Sequence, residues 1–202
     1  FCLALFAAGL AGAALAGRVS FFLAVMLIVL VLAYDCLVKE RKILGPLAMA
    51  GCRSVNLLLG MSGNLSLTVF LVFPLLTLGY VYFLTWLGTF ETDRKQGGER
   101  WVILIGFHLV LTAFLLLTLL GTLKPDGLIF IMAVCLVTGP PLWESALRPG
   151  AESAGRCVKY LVLAIPVLDA AYVAGAHDYR LALPVIGCLA PALFFAKIFH
   201  VS

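Results

Sequence analysis

The sequence predicts an all-α fold: a polytopic transmembrane helical bundle of about eight helices. Three observations carry that expectation. Of 202 residues, 63% are hydrophobic and only 12% are charged. The mean hydropathy is +1.13. Apolar runs close to membrane-spanning length recur along the whole chain, parted by short charged stretches. Ordinary soluble domains carry roughly 45–50% apolar and about 25% charged residues, and a soluble globule of this size could not bury the excess. The composition therefore excludes a soluble enzyme, a secreted disulfide scaffold and a nucleic-acid-binding protein. Cys2, Cys36, Cys52, Cys135, Cys157 and Cys188 form no CxxC pair and mostly lie in apolar runs. There Cys behaves as a small hydrophobe, and neither a zinc site nor a disulfide framework is indicated.

Crossing the hydrocarbon core takes about 20 apolar residues per helix. The first run, Phe1–Ala16, has no basic residues ahead of it, and Ala11–Gly17 leads straight into the next run, which argues against a signal peptide. Ser20–Val38 follows and ends at Lys39-Glu40-Arg41-Lys42. Leu44–Gly60 opens on Gly45-Pro46, and Leu65–Leu87 ends at the longest polar stretch of the chain. Trp101–Leu123, Leu128–Trp143, Val158–Ala174 and Leu181–Phe199 complete the set. These runs are apolar on both faces a strand would present, which excludes barrel alternation. In lipid the backbone must satisfy its own hydrogen bonds, so the runs are expected as helices.

The connections give orientation. Lys39, Arg41, Lys42, Arg94, Lys95, Arg100, Arg148, Arg156, Lys159 and Lys197 fall on one side of an eight-helix bundle. Arg18, Lys124 and Arg180 fall on the other. The ten-to-three bias places the first group, including the Lys39 and Asp93 loops, in the cytoplasm by the positive-inside rule.

Four polar places stand out. Tyr34-Asp35-Cys36-Leu37-Val38-Lys39-Glu40-Arg41-Lys42 ends a helix. It reads either as an interfacial belt facing lipid headgroups or as a cationic cluster that binds phosphate. Arg53 falls near mid-membrane, where a charge costs at least about 2.5–3.5 kcal/mol. Arg53, Asn56 and Gly60 share one helical face, which either lines a polar cavity or makes a structural ion pair. Thr89–Arg100 carries Glu91 and Asp93, followed by Arg94 and Lys95. It reads as a solvated loop, or as carboxylates that hold Mg²⁺ with a substrate phosphate. Asp169 is an intramembrane carboxylate with either a functional or a pairing role.

These residues also carry a resemblance. Tyr34-x-x-x-x-Lys39 is similar to the Tyr…Lys-Arg element of the UbiA superfamily of intramembrane prenyltransferases, and Glu91-x-Asp93-Arg94-x-x-Gly97 resembles that family's second acidic motif. Leu44-Gly45-Pro46 and Cys52-Arg53-x-x-Asn56-Leu57-Leu58-Leu59-Gly60-Met61-Ser62 look like a bacterial, ebo-cluster-like branch of it. Thr89 stands where the second motif usually has its leading Asp. The family's first acidic motif has no counterpart here. The expectation is a single membrane domain over 1–202 that lacks about two N-terminal helices and that motif.

The resemblance implies a UbiA-like bundle around a cavity in a bacterial inner membrane. Mg²⁺ would bridge an isoprenyl diphosphate to acidic residues, the allylic C–O bond would ionise, and a lipophilic or aromatic acceptor would attack. Glu91 and Asp93 would be metal ligands. Lys39, Arg41, Arg53 and Arg94 would meet the charge developing on the leaving group. Asn56 would position substrate, and Tyr34 would line the cavity. The alternative is a non-catalytic bundle of the same type that holds a lipid or pigment, or serves as a membrane subunit of a larger complex.

Overall fold

The computed structural model describes residues 2–64, 71–91, 99–148 and 150–191. Among the described residues there are eight α-helices and no strand. They are α1 (Cys2–Ala16), α2 (Arg18–Ala33), α3 (Leu44–Met61), α4 (Val72–Gly88), α5 (Glu99–Leu119), α6 (Gly127–Leu147), α7 (Ala151–Ala176) and α8 (Tyr179–Gly187). Among the described residues five stretches are long and apolar enough to cross a membrane: Arg18–Val38, Val72–Glu91, Glu99–Leu119, Gly127–Leu147 and Ala151–Ala176. The stretches Leu3–Ala16 and Tyr179–Pro191 are apolar but shorter. Arg53, Ser54 and Asn56 keep α3 out of that set of five. Among the described residues the chain adopts the all-helical class expected from the sequence, with helices long and apolar enough to cross a membrane.

One boundary that differs within the described residues is the start of α7, at Ala151 rather than Val158. Glu152 and Arg156 lie ahead of the apolar run, yet the helix already includes them. Arg156 Nη2 lies 3.1 Å from Glu152 Oε1 one turn away, and an acid in the first turn suits the helix dipole. Residues 65–70 and 192–199, which the apolar runs assigned to the fourth and eighth helices, lie outside the described residues.

The chain forms two compact units, Phe1–Thr89 and Phe90–Ser202. In the first, α3 packs on α2 and α4, and α1 packs on α2. The end of α2 widens into a π-helical turn over Tyr34–Val38, in which the Lys39 N–H donates to the Tyr34 carbonyl at 2.9 Å. Such turns are frequent at functional sites. The chain then doubles back tightly. A Cβ at position 45 would stand 2.9 Å from the Lys39 carbonyl oxygen, so Gly45 lets α3 start against the end of α2. Two side-chain hydrogen bonds lock the helices. Ser54 Oγ donates to the Pro74 carbonyl at 2.9 Å, and the hydroxyls of Ser20 and Ser62 share a 2.7 Å bond. In lipid, packing and polar contacts of this kind hold helices together, because tails are as apolar as Leu.

In the second unit α7 packs on α6 and α8, and α5 packs on α6. Ile103, Phe107, Phe114, Val134 and Leu161 fill its core. α6 and α7 meet through small residues. A Cβ at Gly127 would come within 2.8 Å of the Ala171 carbonyl oxygen and 2.9 Å of Phe114 Cζ. The outer faces are apolar: Leu109, Leu116, Leu120, Ile129, Met132 and Leu136 are all more than half exposed. Apolar exposure on this scale fits a lipid-facing surface, not one bathed in water.

Candidate functional site

The first unit contains a cavity of about 370 Å³ between α1, α2 and α3. Each helix contributes a stripe of side chains at helical spacing. α1 gives Leu5, Phe6, Gly9 and Leu10; α2 gives Ala24, Leu27, Ile28 and Val31. α3 gives Met49, Cys52, Arg53, Asn56 and Leu59. The spacing i, i+3, i+4, i+7 on α2 and α3 keeps each stripe on one side of its helix. From Met49 to Leu59 the groove runs about 15 Å along α3, at 1.5 Å per residue.

The walls are chemically unequal. Those of α1 and α2 are entirely apolar. The α3 wall brings Arg53 and Asn56 onto one side, with the Cys52 thiol beside them. Arg53 is half-buried and Asn56 is open to the cavity. A guanidinium held in this way can meet an anionic or hydrogen-bond-accepting group while the rest of the ligand lies among hydrocarbon side chains.

The structure brings together only part of the residue set singled out in the sequence. Arg53 and Asn56 share the cavity. Tyr34 is half-buried in the π-helical turn, three positions beyond Val31, and does not line the cavity. Lys39 and Arg41 are exposed on the turn that follows and do not line it either. Glu91 is exposed and belongs to the second unit, where its carboxylate carbon lies 3.6 Å from the place a Cβ on Gly155 would occupy. Asp93 and Arg94 lie outside the described residues.

Glu91 offers the hard oxygen that magnesium takes. Among the described residues, however, no three His, Cys, Asp or Glu side chains converge on one point. The described residues do not by themselves compose a magnesium site.

The chain matches no family model, no curated protein and no solved structure. Its chemistry has to be read from its own side chains.

One residue escaped the sequence reading. Arg100 counted only as a basic loop residue, yet it is 4% exposed at the start of α5. Its Nη1 donates to the Ser145 carbonyl at 3.2 Å, to Ser145 Oγ at 3.4 Å and to Ser153 Oγ at 3.3 Å. Its Nη2 donates to the Gly150 carbonyl at 3.1 Å. The guanidinium also lies over the Phe90 ring, 5.4 Å from the centroid. No linear signal separates an arginine that opens a helix and turns inward from one that turns to water. His108, by contrast, needs no outside partner: its Nδ1 lies 2.7 Å from the Leu104 carbonyl oxygen of its own helix.

Proposed function

We propose that the protein is an integral membrane prenyltransferase of the UbiA type. It would transfer an isoprenoid chain from its diphosphate to a lipophilic or aromatic acceptor, in a bacterial inner membrane with the Lys39 and Asp93 loops cytoplasmic. The observation that supports this reading is the long apolar cavity with Arg53 and Asn56 on one wall. Ionising an allylic diphosphate needs apolar walls that exclude water and a cation near the departing charge. Leu5, Phe6, Leu27, Ile28 and Val31 supply the first, and Arg53 supplies the second. Asn56 orients a polar group of the substrate. Lys39 and Arg41, exposed at the end of α2, attract the anionic diphosphate toward the unit. Glu91 and Asp93 as magnesium ligands rest on the resemblance alone. When bound, that ion would neutralise charge on the diphosphate.

The second reading is a non-catalytic bundle that holds a lipid or pigment, alone or within a membrane complex. Thr89 favours it. Its hydroxyl donates to the Trp86 carbonyl at 2.7 Å and caps α4, so the position of the motif's leading carboxylate serves the helix end.

One experiment separates the two. The full-length protein in nanodiscs is incubated with Mg²⁺, a panel of prenyl diphosphates and lipid extract, and both diphosphate release and retained lipid are measured. Release that depends on Mg²⁺ supports the enzyme. Retained lipid with no release from any donor supports the binding protein.

A further inference from the structure

We infer that Arg100 is the positioning residue for Glu91. The inference rests on the enzyme reading only for what Glu91 does; where Glu91 stands is a separate matter.

A guanidinium in a buried site is an expensive way to fill space. An apolar side chain of similar volume packs as well or better, because it carries no charge to desolvate. What arginine adds is a rigid fork of donors. Here the fork is fixed from the α6–α7 hairpin by three residues: Ser145 at the end of α6, Gly150 in the connection, and Ser153 in the first turn of α7. Ser153 is itself tied down, since its hydroxyl is 2.9 Å from both the Arg148 and the Gly150 carbonyl oxygens. The guanidinium plane faces the Phe90 ring, and Phe90 is 1% exposed.

Phe90 is the residue before Glu91. Fixing its ring over Arg100 fixes the backbone from which the Glu91 side chain leaves. That side chain then lies along α7: its Cδ is 3.6 Å and its Cγ 3.9 Å from the place of a Cβ on Gly155. Gly155 and Ser153 belong to the same first turns of α7. The element that anchors Arg100 is thus the element Glu91 lies against. Arg100 closes a short path from the hairpin through Phe90 to the carboxylate, and every member belongs to the second unit.

The test reads the position of residue 91 directly. In the full-length protein in nanodiscs, Glu91→Cys is paired with Gly155→Cys and oxidised with copper–phenanthroline. The disulfide-linked peptide is quantified by mass spectrometry. The pair is expected to link readily, and adding Arg100→Met is expected to cut the yield several-fold while size-exclusion behaviour and helix content stay unchanged. Linkage at the original rate with Arg100→Met present would overturn the inference. If Arg100→Met fails to insert or fold, Arg100→Lys and Arg100→Gln decide, since each removes the fork of donors and leaves Phe90 and Ser153 in place. A reduced yield in either supports the inference, and an unchanged yield in both overturns it. Turnover is measured separately with the native Glu91. A wild type with no turnover removes the enzyme reading and leaves the crosslinking result standing.

Discussion

Arg53 and Asn56 stand three positions apart on α3 and open onto the same cavity, opposite the apolar stripe of α2. A lone arginine on an apolar helix could turn toward the membrane interface and keep only its stem in hydrocarbon. The shared stripe instead gives the cavity one polar wall. The lining suits a ligand that is apolar along most of its length and polar beside Arg53 and Asn56.

Arg53→Leu is expected to weaken binding of an anionic amphiphile by about 1.5–3 kcal/mol, the worth of a charge-assisted hydrogen bond. That corresponds to roughly 10- to 150-fold in Kd. Asn56→Leu is expected to cost less, because a neutral amide donates a weaker bond. Native mass spectrometry or radioligand retention in nanodiscs measures both. Equal retention by wild type and Arg53→Leu would remove the cavity as the binding site.

On the enzyme reading, Asp93→Ala is expected to abolish Mg²⁺-dependent turnover, measured as diphosphate release, while the variant still inserts and folds. Lys39→Ala is expected to raise KM for the prenyl diphosphate with little change in kcat. Lys39 is exposed at the end of α2 and does not line the cavity, which suits initial capture of the diphosphate. Full activity in Asp93→Ala would eliminate Asp93 as a metal ligand.

Thr89→Asp places a carboxylate where the UbiA-type second motif, on the proposed reading, usually carries one. It also removes the 2.7 Å hydroxyl bond to the Trp86 carbonyl and puts a negative charge at the C-terminus of α4. The dipole effect costs about 0.3–1 kcal/mol. The expected result is a small drop in stability together with tighter Mg²⁺ dependence of turnover. A stability loss with no change in Mg²⁺ dependence would favour the binding-protein reading.

Gly127→Ala puts a methyl group 2.8 Å from the Ala171 carbonyl oxygen and 3.1 Å from the Gly175 nitrogen. Backbone on both sides cannot yield cheaply, so the second unit is expected to lose about 1–3 kcal/mol, as in other overpacked cores. Gly139→Ala, where nothing stands within 4 Å, is the matched control. Steric-trapping unfolding in bicelles compares the two. Equal stability would mean that α6 and α7 separate freely at this point.

Sidedness can be measured on the charges that set it. Single cysteines replacing Lys42, Lys95 or Arg156 are expected to react with an impermeant maleimide only from the cytoplasmic face. Cysteines replacing Lys124 or Arg180 are expected to react only from the opposite face. Labelling of positions 95 and 124 from the same side would break the eight-segment count.

Much of this protein was legible in one dimension. Composition and solidly apolar runs pointed to helices, because a backbone in lipid is satisfied only by helices or closed barrels and the runs lack barrel alternation. The stripe of Arg53 and Asn56 was legible too, since helical periodicity fixes which residues share a face. Helix ends were less so. α7 already includes Glu152 and Arg156, ahead of the apolar run, because charge marks where an apolar run stops, and a helix continues as long as its backbone bonds do.

Only the tertiary structure decided which helices close the cavity and which polar residues face it. Tyr34, Lys39 and Arg41 sit close to Arg53 in sequence, yet the π-helical turn and the tight start of α3 leave them off the cavity lining. Arg100 shows the same limit from the other side. Its sequence neighbours mark it as a loop cation, and it is buried because Ser145, Gly150 and Ser153, distant along the chain, converge on its fork of donors. Local periodicity determines the face a side chain occupies on its own helix; what that face meets is set by packing between helices, where bond partners lie dozens of residues apart.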